Sequence, residues 1–302
     1  MYTRDPIKAP LALFFYDRPK SAKKLLSQVS NLADVENRYI YAFIDGHKNN
    51  NKAEVKKTRD IVEQYKDSII IRASKQNLGL QRAILNGVNT VLQHHENVIV
   101  IEDDLILGEY ALDYFDKYLA EYKYESSVYG ICGYLDKSFI KSPVLLPMSH
   151  PWGWATWRDK WPDDLIKNYS SAEISCNLSN INVGGLRNFG RMYNFASKKQ
   201  INSWWIYWHL HIVLKKGYCI FPHQTHIQNE GFTTYSGTNS SALNPLRLSY
   251  IPPTLSNTMT LGTPNREQGK LVLEKMRHSH NYRILRIIDW LGGVKRRLKF
   301  WK

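Results

Sequence analysis

Short apolar runs that each end at an acidic residue constrain the fold of this chain more than any other feature of its sequence. Each run is long enough for one strand and apolar on both faces, which is typical of a strand buried in a parallel sheet. Segments with helical spacing of apolar residues lie between the runs, so the pattern predicts β-α-β units. In open α/β sheets, ligands bind beyond the carboxyl ends of the strands, where these acidic residues fall. The runs and their acidic residues are 11–16 with Asp17, 39–44 with Asp45, and 97–101 with Glu102.

Composition narrows the class of protein further. Hydrophobic residues make up 43% and aromatic residues 13% of the 302 residues, which indicates a globular chain and excludes disorder over the whole length. The three cysteines are far apart and form no CxxC motif, as in proteins of a reducing compartment. No run approaches the roughly 18 apolar residues of a membrane span. We therefore expect a cytoplasmic protein with at most peripheral membrane contact.

Glu102, Asp103 and Asp104 follow the last of these runs directly. Three adjacent carboxylates repel one another, so a cation is expected beside them. Mg²⁺ and Mn²⁺ bind one or two carboxylates and complete their coordination with water and substrate phosphates. The triplet therefore predicts a divalent metal and a diphosphate ligand. The alternative is a solvated acidic turn that caps the helix beginning near Glu109.

Several segments of the chain occur in the order found in one enzyme family. They are Phe-Tyr-Asp-Arg-Pro at 15–19, Phe-Ile-Asp-Gly at 43–46, Val-Ile-Glu-Asp-Asp-Leu at 100–105, His-Pro-Trp-Gly-Trp-Ala-Thr-Trp at 150–157 and Asn-Glu-Gly-Phe at 229–232. Their order resembles GT-A nucleotide-sugar glycosyltransferases, including N-acetylglucosaminyltransferase I and bacterial glycosyltransferases of surface-polysaccharide clusters. The match is strongest over residues 10–241.

The resemblance implies an α/β fold of the GT-A, Rossmann-like type, with a mixed, mostly parallel sheet flanked by helices. It places one glycosyltransferase domain at residues 1–260, divided into a nucleotide-binding half (1–110) and an acceptor half (111–260). Residues 261–302 are expected to form a separate, basic and helical C-terminal tail.

The resemblance also implies roles for the acidic residues at the strand ends. Asp104 is the expected metal ligand, while Asp103 and Glu102 would bind the ribose and support the metal. Asp45 would accept a hydrogen bond from the nucleobase, which favours uracil or thymine and hence a UDP-sugar donor. Alternatively, Asp45 forms a turn before Gly46.

Three further residues are expected beside the donor. Asp17 and Arg18 line the same strand end, although Arg18 also fits a surface cation in the turn before Pro19. Arg82 follows an Asn-x-Gly segment that looks like the family's, and it would face the diphosphate or lie in an ordinary helix N-terminal region. The implied cofactor is Mn²⁺ or Mg²⁺, and the implied substrate is a nucleotide-sugar.

Aromatic residues dominate the segment expected to bind the acceptor. Their flat faces suit the C–H groups of a sugar, and the indole N–H donates hydrogen bonds. Trp152, Gly153 and Trp154 are the predicted acceptor-lining residues, with Gly153 allowing the loop to approach the donor. Large aromatics are usually core, and more than half of a set of seven tryptophans are expected there. The set is Trp152, Trp154, Trp157, Trp161, Trp204, Trp205 and Trp208.

A general base for sugar transfer has several candidates. The resemblance implies an Asp within the segment 203–208, where this chain has no carboxylate. Glu230, in the Asn-Glu-Gly-Phe segment, is the candidate by motif position, or else an exposed loop carboxylate. His226 is a candidate metal ligand, with a hydrogen-bonded structural role as the alternative. The histidines that form a second pool of candidate bases are His209, His211, His223 and His226.

The C-terminal residues differ from the rest in charge. Residues 281–302 carry seven cationic residues and one anionic residue, so they supply +6 of the formal net charge of +14. Apolar residues recur there at helical spacing. This pattern predicts a basic amphipathic helix that binds the anionic inner face of the cell membrane, at about 1 kcal/mol per nearby cation. The alternative is a helix packed on the domain with a solvated basic face.

These features together predict a metal-dependent, inverting glycosyltransferase of the hexosyl or N-acetylhexosaminyl class. Its acceptor would be a glycan or a lipid-linked glycan in bacterial surface-polysaccharide synthesis. The missing carboxylate at 203–208 keeps a second hypothesis open, namely an inactive GT-A domain that binds carbohydrate or serves as a scaffold. Nucleic acid is not an expected partner, because residues 1–280 carry only +8 and show no RRM, KH or zinc-finger signature.

Overall fold

The computed structural model describes residues 8–32, 35–48, 50–135, 141–232, 252–260 and 262–278. The strands within these ranges are β1 (Lys8–Phe15), β2 (Arg38–Ile44), β3 (Ile70–Ala73), β4 (Asn97–Glu102), β5 (Leu105–Leu107), β6 (Val128–Cys132), β7 (Val144–Leu146), β8 (Trp154–Trp157), β9 (Tyr218–Phe221) and β10 (Ile227–Asn229). The α-helices are α1 (Pro19–Ser30), α2 (Lys52–Glu63), α3 (Leu80–His94), α4 (Ala111–Glu121), α5 (Ser171–Cys176), α6 (Leu178–Ile181), α7 (Phe189–Ser197), α8 (Trp205–Leu214) and α9 (Arg266–His278). Short 3₁₀ helices lie at Val35–Asn37 and Glu230–Phe232.

The main sheet has eight strands in the order β3-β2-β1-β4-β8-β6-β9-β7. β3, β2, β1 and β4 pair in parallel, as do β6 and β9, whereas β8 and β7 run antiparallel to their neighbours. The predicted α/β class with a mixed, mostly parallel sheet and flanking helices is therefore confirmed.

Helices cover both faces of the sheet and form two apolar cores. Because side chains alternate along a strand, Leu11 and Leu13 of β1 pack into one core with Leu25 of α1, whereas Phe14 packs into the other. α3 lies close to the sheet on the Phe14 side. A Cβ at Gly87 of α3 would lie 2.5 Å from the Phe14 ring, so this close approach requires a glycine.

The second core is rich in aromatic residues contributed by β8 and α8. All four residues of β8 are buried, and so is α8 from Trp205 to Val213. A helix that is apolar on every side is expected to be buried completely, which explains why α8 runs through the interior. We use the term aromatic core for the side chains of Trp154, Trp161, Trp204 and Trp208, whose rings contact one another.

A small antiparallel ribbon follows the acidic triplet. β5 pairs with β10 in a register that places Leu105 opposite Asn229 and Leu107 opposite Ile227. The ribbon places the Asn-Glu-Gly-Phe segment next to Asp104. The backbone N–H of Glu230 donates to the Asp104 carbonyl at 2.8 Å. Two segments that are far apart in the sequence therefore meet at the end of β4.

The described part of the predicted C-terminal tail packs on the domain. α9 lies against β7 and buries Val272, Leu273 and Met276, and a Cβ at Gly269 would collide with the Leu145 carbonyl oxygen. The domain core thus extends to about the end of α9, beyond the predicted boundary at residue 260. The predicted membrane helix at 281–302 lies outside the described residues. Among the helices that are described, none is both long enough and apolar enough to cross a membrane.

Candidate active site

Three acidic strand ends meet at one edge of the sheet. The backbone N–H of Asp45 donates to the Phe15 carbonyl, and that of Asp103 donates to the Phe14 carbonyl, each at 3.0 Å. The carboxyl ends of β2 and β4 are thus fastened to the end of β1. We call this region, comprising residues 16–18, 45 and 102–104, the acidic edge.

Arg18 lies at the centre of the acidic edge. Its Nη1 donates to Asp103 Oδ1 and to Asp104 Oδ2, each at 2.8 Å, and its side chain is only 14% exposed. Two oxygens at that distance from one nitrogen are at most 5.6 Å apart, so both carboxylates converge on a single cationic point. The alternative of a solvated surface cation at Arg18 is therefore wrong, and the expected proximity of Arg18 to the triplet is found.

Burial shifts the ionisation of these groups. Burial, followed by repulsion from Asp104 and Asp103, raises the pKa of Glu102 to about 8. Burial also raises the pKa of Asp103 to about 6, although Arg18 opposes the shift. For Arg18, burial acts to lower the pKa, but attraction to the three carboxyl groups is stronger in sum and raises it. Glu102 therefore holds its proton at neutral pH, and the acidic edge keeps fewer negative charges than the sequence suggests.

The oxygen atoms at this edge fit a hard divalent cation. Asp103 and Asp104 supply carboxylate oxygens, the ligand type that Mg²⁺ and Mn²⁺ prefer, in the number that such sites commonly use. A Cβ at Gly231 would lie 2.5 Å from Asp104 Oδ2 and 3.0 Å from Asn229 Oδ1, so the glycine leaves room beside two oxygens. The described residues contain no cluster of three or more His, Cys, Asp or Glu side chains that could hold a metal alone. Water or substrate phosphate would complete the coordination.

Glu230 lies beside the triplet. Besides its backbone hydrogen bond to Asp104, its carboxylate pairs with Lys24 Nζ of α1 at 2.5 Å, and the Glu230 side chain is 34% exposed. The structure therefore brings the predicted base next to the predicted metal ligand. Lys24 was not predicted from the sequence, because nothing in α1 indicates contact with a residue 206 positions away.

His226 does not join this site, which corrects its predicted role as a metal ligand. Its carbonyl accepts from the Gly108 N–H at the far end of the β5–β10 ribbon, about 13 Å from Asp104 at 3.3 Å per residue. The ring is fully buried, Nε2 bonds to Thr260 Oγ1 at 2.7 Å, and the ring stacks on Tyr114. Burial lowers the pKa of His226 to about 4. His226 is thus a structural histidine.

Asp45 also differs from its predicted role in binding the nucleobase. Its carboxylate accepts from the backbone N–H groups of Gly46, Leu78 and Gly79 at 2.7–2.9 Å and from Asn77 Nδ2 at 3.1 Å. A carboxylate has about four acceptor positions, so these four hydrogen bonds occupy all the acceptor positions of Asp45. Asp45 therefore fastens the loop before α3 to the end of β2, as the turn-forming alternative predicted.

Asp17 contacts the residue before α2, and Arg82 lies just after the loop that precedes α3. Asn51, which the sequence did not single out, donates from Nδ2 to Asp17 Oδ2 at 2.8 Å and to the Tyr16 hydroxyl at 2.7 Å. Arg82 is exposed on the first turn of α3. Gly79, just before that turn, faces Asn202, since a Cβ at Gly79 would lie 3.6 Å from Asn202 Nδ2. Asn202 therefore borders the loop that leads to Arg82.

The three predicted acceptor residues separate into two groups. Trp152 is partly buried and packs edge-on against Tyr134, with ring centroids 4.6 Å apart, so part of its surface remains exposed. Gly153 has a φ of +58°, and a Cβ there would lie 2.7 Å from Ile227, so this position requires glycine. Trp154 instead lies in the aromatic core at 2% exposure, which corrects its predicted role in lining the site.

The remaining tryptophans and two of the candidate histidines are core residues. The expectation that most of the seven tryptophans are buried is confirmed, since all except Trp152 are at most 8% exposed. His209 bonds through Nε2 to the Ile181 carbonyl at 2.9 Å, and burial lowers the pKa values of His209 and His211 to about 4. These buried histidines are therefore poor candidates for the base.

No model of a known protein family matches the chain, and no curated protein sequence does so. Among solved structures, the mannosyltransferase PcManGT from Pyrobaculum calidifontis, in complex with GDP-Man and Mn²⁺, is similar with a TM-score of 0.37 and 13% identity, covering 50% of this chain and 45% of that chain. TarS 1-349 from S. aureus is similar with a TM-score of 0.35 and 11% identity, covering 56% of this chain and 49% of that chain.

The complex of TarS 1-349 with UDP-GlcNAc is also similar, with a TM-score of 0.32 and 14% identity over 44% of this chain and 39% of that chain. The chain therefore spans less than half the length of each of these structures. TM-scores this low do not establish a shared fold or activity.

Proposed function

We propose that the protein is a metal-dependent glycosyltransferase that moves a sugar from a nucleoside-diphosphate donor to a glycan or lipid-linked acceptor. The observation that carries this proposal is the convergence of Asp103 and Asp104 on one cationic point at the acidic edge, with Glu230 beside it. Carboxylates at the carboxyl end of a strand can hold a divalent cation, and that cation in turn binds the phosphates of a nucleotide diphosphate. The motif order of the sequence points to the same chemistry.

On the donor side, Asp103 and Asp104 would hold the cation, and Arg18 would bind the diphosphate oxygens. The bound cation would neutralise the charge that develops on the departing diphosphate. Asp17, fixed by Asn51, and Glu102 would bind donor hydroxyl groups by hydrogen bonds. Arg82 would contact the donor phosphates from the first turn of α3.

On the acceptor side, Glu230 would act as general base. The acceptor oxygen attacks the anomeric carbon, the bond from that carbon to the diphosphate oxygen breaks, and the acceptor proton passes to the Glu230 carboxylate. A single displacement of this kind inverts the anomeric configuration. Lys24 holds the carboxylate at the site by the 2.5 Å ion pair. Trp152 and Gly153 would supply the surface on which the acceptor sugar lies.

The identity of the nucleotide is a separate question. The preference for UDP depended on Asp45, whose acceptor positions are used by the loop before α3. The proposed donor is therefore a nucleoside-diphosphate hexose or N-acetylhexosamine without commitment to the base. Both uridine and guanosine nucleotides belong in the first assays.

The membrane partner is proposed from the sequence. The charge of residues 281–302 suits an anionic lipid surface at the cytoplasmic face of a cell membrane, where a lipid-linked acceptor would be reached. Flotation with anionic liposomes tests this directly. Deletion of 281–302 should release the protein from the liposomes, whereas equal binding by both proteins would contradict the assignment.

An assay for released nucleoside diphosphate tests the enzymatic proposal. A panel of UDP- and GDP-sugars is incubated with the full-length protein, with Mn²⁺ or with a chelator. We expect metal-dependent release from at least one donor, and its loss in Asp104→Ala. Nucleotide-sugar binding without any release across donors and sugar acceptors would favour the inactive, carbohydrate-binding alternative.

A further inference from the structure

Arg18 contacts the oxygen atoms that a divalent cation would need. One nitrogen, Nη1, lies 2.8 Å from Asp103 Oδ1 and 2.8 Å from Asp104 Oδ2. A metal ion bound by the same two oxygens would take the position of Nη1, so the guanidinium and the ion would compete for it. The interaction is also largely shielded from water, since the Arg18 and Asp103 side chains are 14% and 5% exposed.

The surroundings of Arg18 keep it at this position in the absence of ligands. Arg18 precedes α1, whose first residue Pro19 limits the backbone at this point. The negative charges of the triplet stabilise the positive charge of the Arg18 guanidinium. Hydrogen bonds between a guanidinium and carboxylates are among the stronger polar contacts in proteins, so displacing Arg18 has a substantial free-energy cost.

We propose that Arg18 is a placeholder for the divalent cation, and this inference rests on the proposed metal-dependent function. In the metal-free protein its guanidinium keeps Asp103 and Asp104 together. When the cation binds, Arg18 leaves these oxygens and pairs instead with the donor diphosphate. Arg18 therefore weakens the binding of metal alone and strengthens the binding of metal together with nucleotide, which makes the two ligands cooperative.

The placeholder role predicts two opposite effects of one substitution. In Arg18→Gln, Mn²⁺ alone should bind about tenfold more tightly than in the wild type, because no guanidinium competes for the carboxylates. UDP and GDP in saturating Mn²⁺ should bind about tenfold more weakly, because the diphosphate loses its cationic partner. Calorimetry measures the affinity for the nucleotide. The electron paramagnetic resonance signal of free Mn²⁺ measures the affinity for the metal.

Lys20→Gln is the matched control. Lys20 is an exposed cation on the first turn of α1, close to Arg18 in the chain and with the same formal charge. Its removal lowers the local positive charge without freeing the two Asp oxygens, so Mn²⁺ affinity should change less than about threefold. An equal gain in Lys20→Gln and Arg18→Gln would show a general charge effect and would overturn the placeholder role.

The remaining outcomes separate this inference from the proposed function. If the wild type binds nucleotide only with Mn²⁺ but Arg18→Gln binds Mn²⁺ no more tightly, the placeholder role alone is wrong. If neither protein binds Mn²⁺, with or without nucleotide, both proposals are wrong. Should Arg18→Gln fail to fold, Arg18→Lys replaces it, since its shorter side chain should hold the carboxylates less well and raise Mn²⁺ affinity about threefold. Unchanged or weaker Mn²⁺ binding in Arg18→Lys would overturn the inference.

Discussion

The acidic edge and the aromatic core place their characteristic residues by different physical rules. At the acidic edge, polar residues follow apolar strands, and the parallel topology brings their strand ends together at the surface of the sheet. In the aromatic core, Trp154 and Trp208 lie within a strand and a helix that are buried throughout. Polar residues that follow the carboxyl ends of parallel strands thus reached the candidate site, whereas aromatic residues of elements buried along their length did not.

The two regions also differ in the free energy they contribute. The aromatic core buries large apolar surfaces, which stabilises the fold. The acidic edge instead gathers carboxyl groups at a cost that shows in the raised pKa values of Glu102 and Asp103. Strongly perturbed pKa values cluster at functional sites, because ligand binding and catalysis use groups whose environment shifts their ionisation.

The largest expected effect separates the two neighbouring tryptophans. Trp154→Ala should lower the free energy of unfolding by about 3–5 kcal/mol, because it opens a cavity among Trp161, Trp204 and Trp208. Trp152→Ala should cost about 1–2 kcal/mol, since part of that ring is solvent-exposed. Chemical denaturation of both variants measures the difference. Similar losses would mean that the division between site and core at residue 153 is wrong.

The next effect concerns the proposed base at the acidic edge. Glu230→Gln should lower kcat by about a hundredfold or more with little change in donor affinity, because it keeps the shape of the side chain but accepts no proton. Glu54→Gln, which changes an exposed carboxylate of α2 paired with Lys57, is the control and should leave kcat unchanged. Near-normal turnover in Glu230→Gln would exclude Glu230 as the base.

A smaller effect compares two glycines that are both closely packed. Gly231→Ala places a methyl group 2.5 Å from Asp104 Oδ2 and should weaken Mn²⁺ binding about tenfold by displacing that carboxylate. Gly87→Ala collides with the Phe14 ring in the core, so it should lower the Tm without changing the Mn²⁺ affinity of the folded protein. Equal Mn²⁺ affinity in Gly231→Ala and wild type would place the cation elsewhere.

The remaining effects are on the dependence of stability on pH, and the two regions should differ in sign. His209, beside the aromatic core, is neutral in the fold because burial lowers its pKa to about 4. The contribution of neutral His209 to the free energy of unfolding is complete above pH 6.5, the ordinary pKa of histidine. It is lost as the pH falls towards 4, by at most about 1.4 kcal/mol per pH unit. Glu102 has a raised pKa of about 8, so its carboxyl makes the fold less stable as the pH rises from 4.5 to 8.

Two substitutions should separate these contributions. His209→Gln should flatten the loss of stability below pH 6.5, the ordinary pKa of histidine, and Glu102→Gln should flatten the loss above the ordinary carboxyl pKa of 4.5. Melting curves from pH 4 to 9 (about the range in which both groups titrate) provide the measurement. His47→Gln, at an exposed position after β2, is the control. If both substitutions flatten the same side of the profile, the assigned protonation states are wrong.

The sequence predicted the fold class, because strand ends and ordered motifs constrain topology. It also assigned Arg18, Asp103, Asp104 and Glu230 to one candidate site, and the structure brings these residues close together. The sequence could not predict the hydrogen-bond or ion-pair partner of each polar side chain. Asp45 is used by backbone N–H groups of a loop more than 30 residues away in the chain, and Lys24 pairs with Glu230 across the fold. Such pairings depend on tertiary packing.

For the aromatic residues and His226, the sequence carried no information on which side faces the site. Trp152 and Trp154 point to different environments because β8 begins between them. His226 was a candidate metal ligand by resemblance, as a histidine downstream of the acidic triplet. The register of the β5–β10 ribbon instead places it at the opposite end from Asp104. A shift of a few residues along a strand is beyond what motif order determines.

The central claim is that Asp104 holds the cation through which the nucleotide binds. Calorimetric titration of UDP and GDP into wild-type protein and Asp104→Ala, with and without Mn²⁺, tests it most directly. Asp60→Ala, which removes an exposed carboxylate of α2, is the control. The account predicts that Mn²⁺ raises the affinity of the wild type and of Asp60→Ala for at least one nucleotide about tenfold or more, and has no effect in a folded Asp104→Ala protein. A Mn²⁺-dependent affinity that survives undiminished in Asp104→Ala would contradict it.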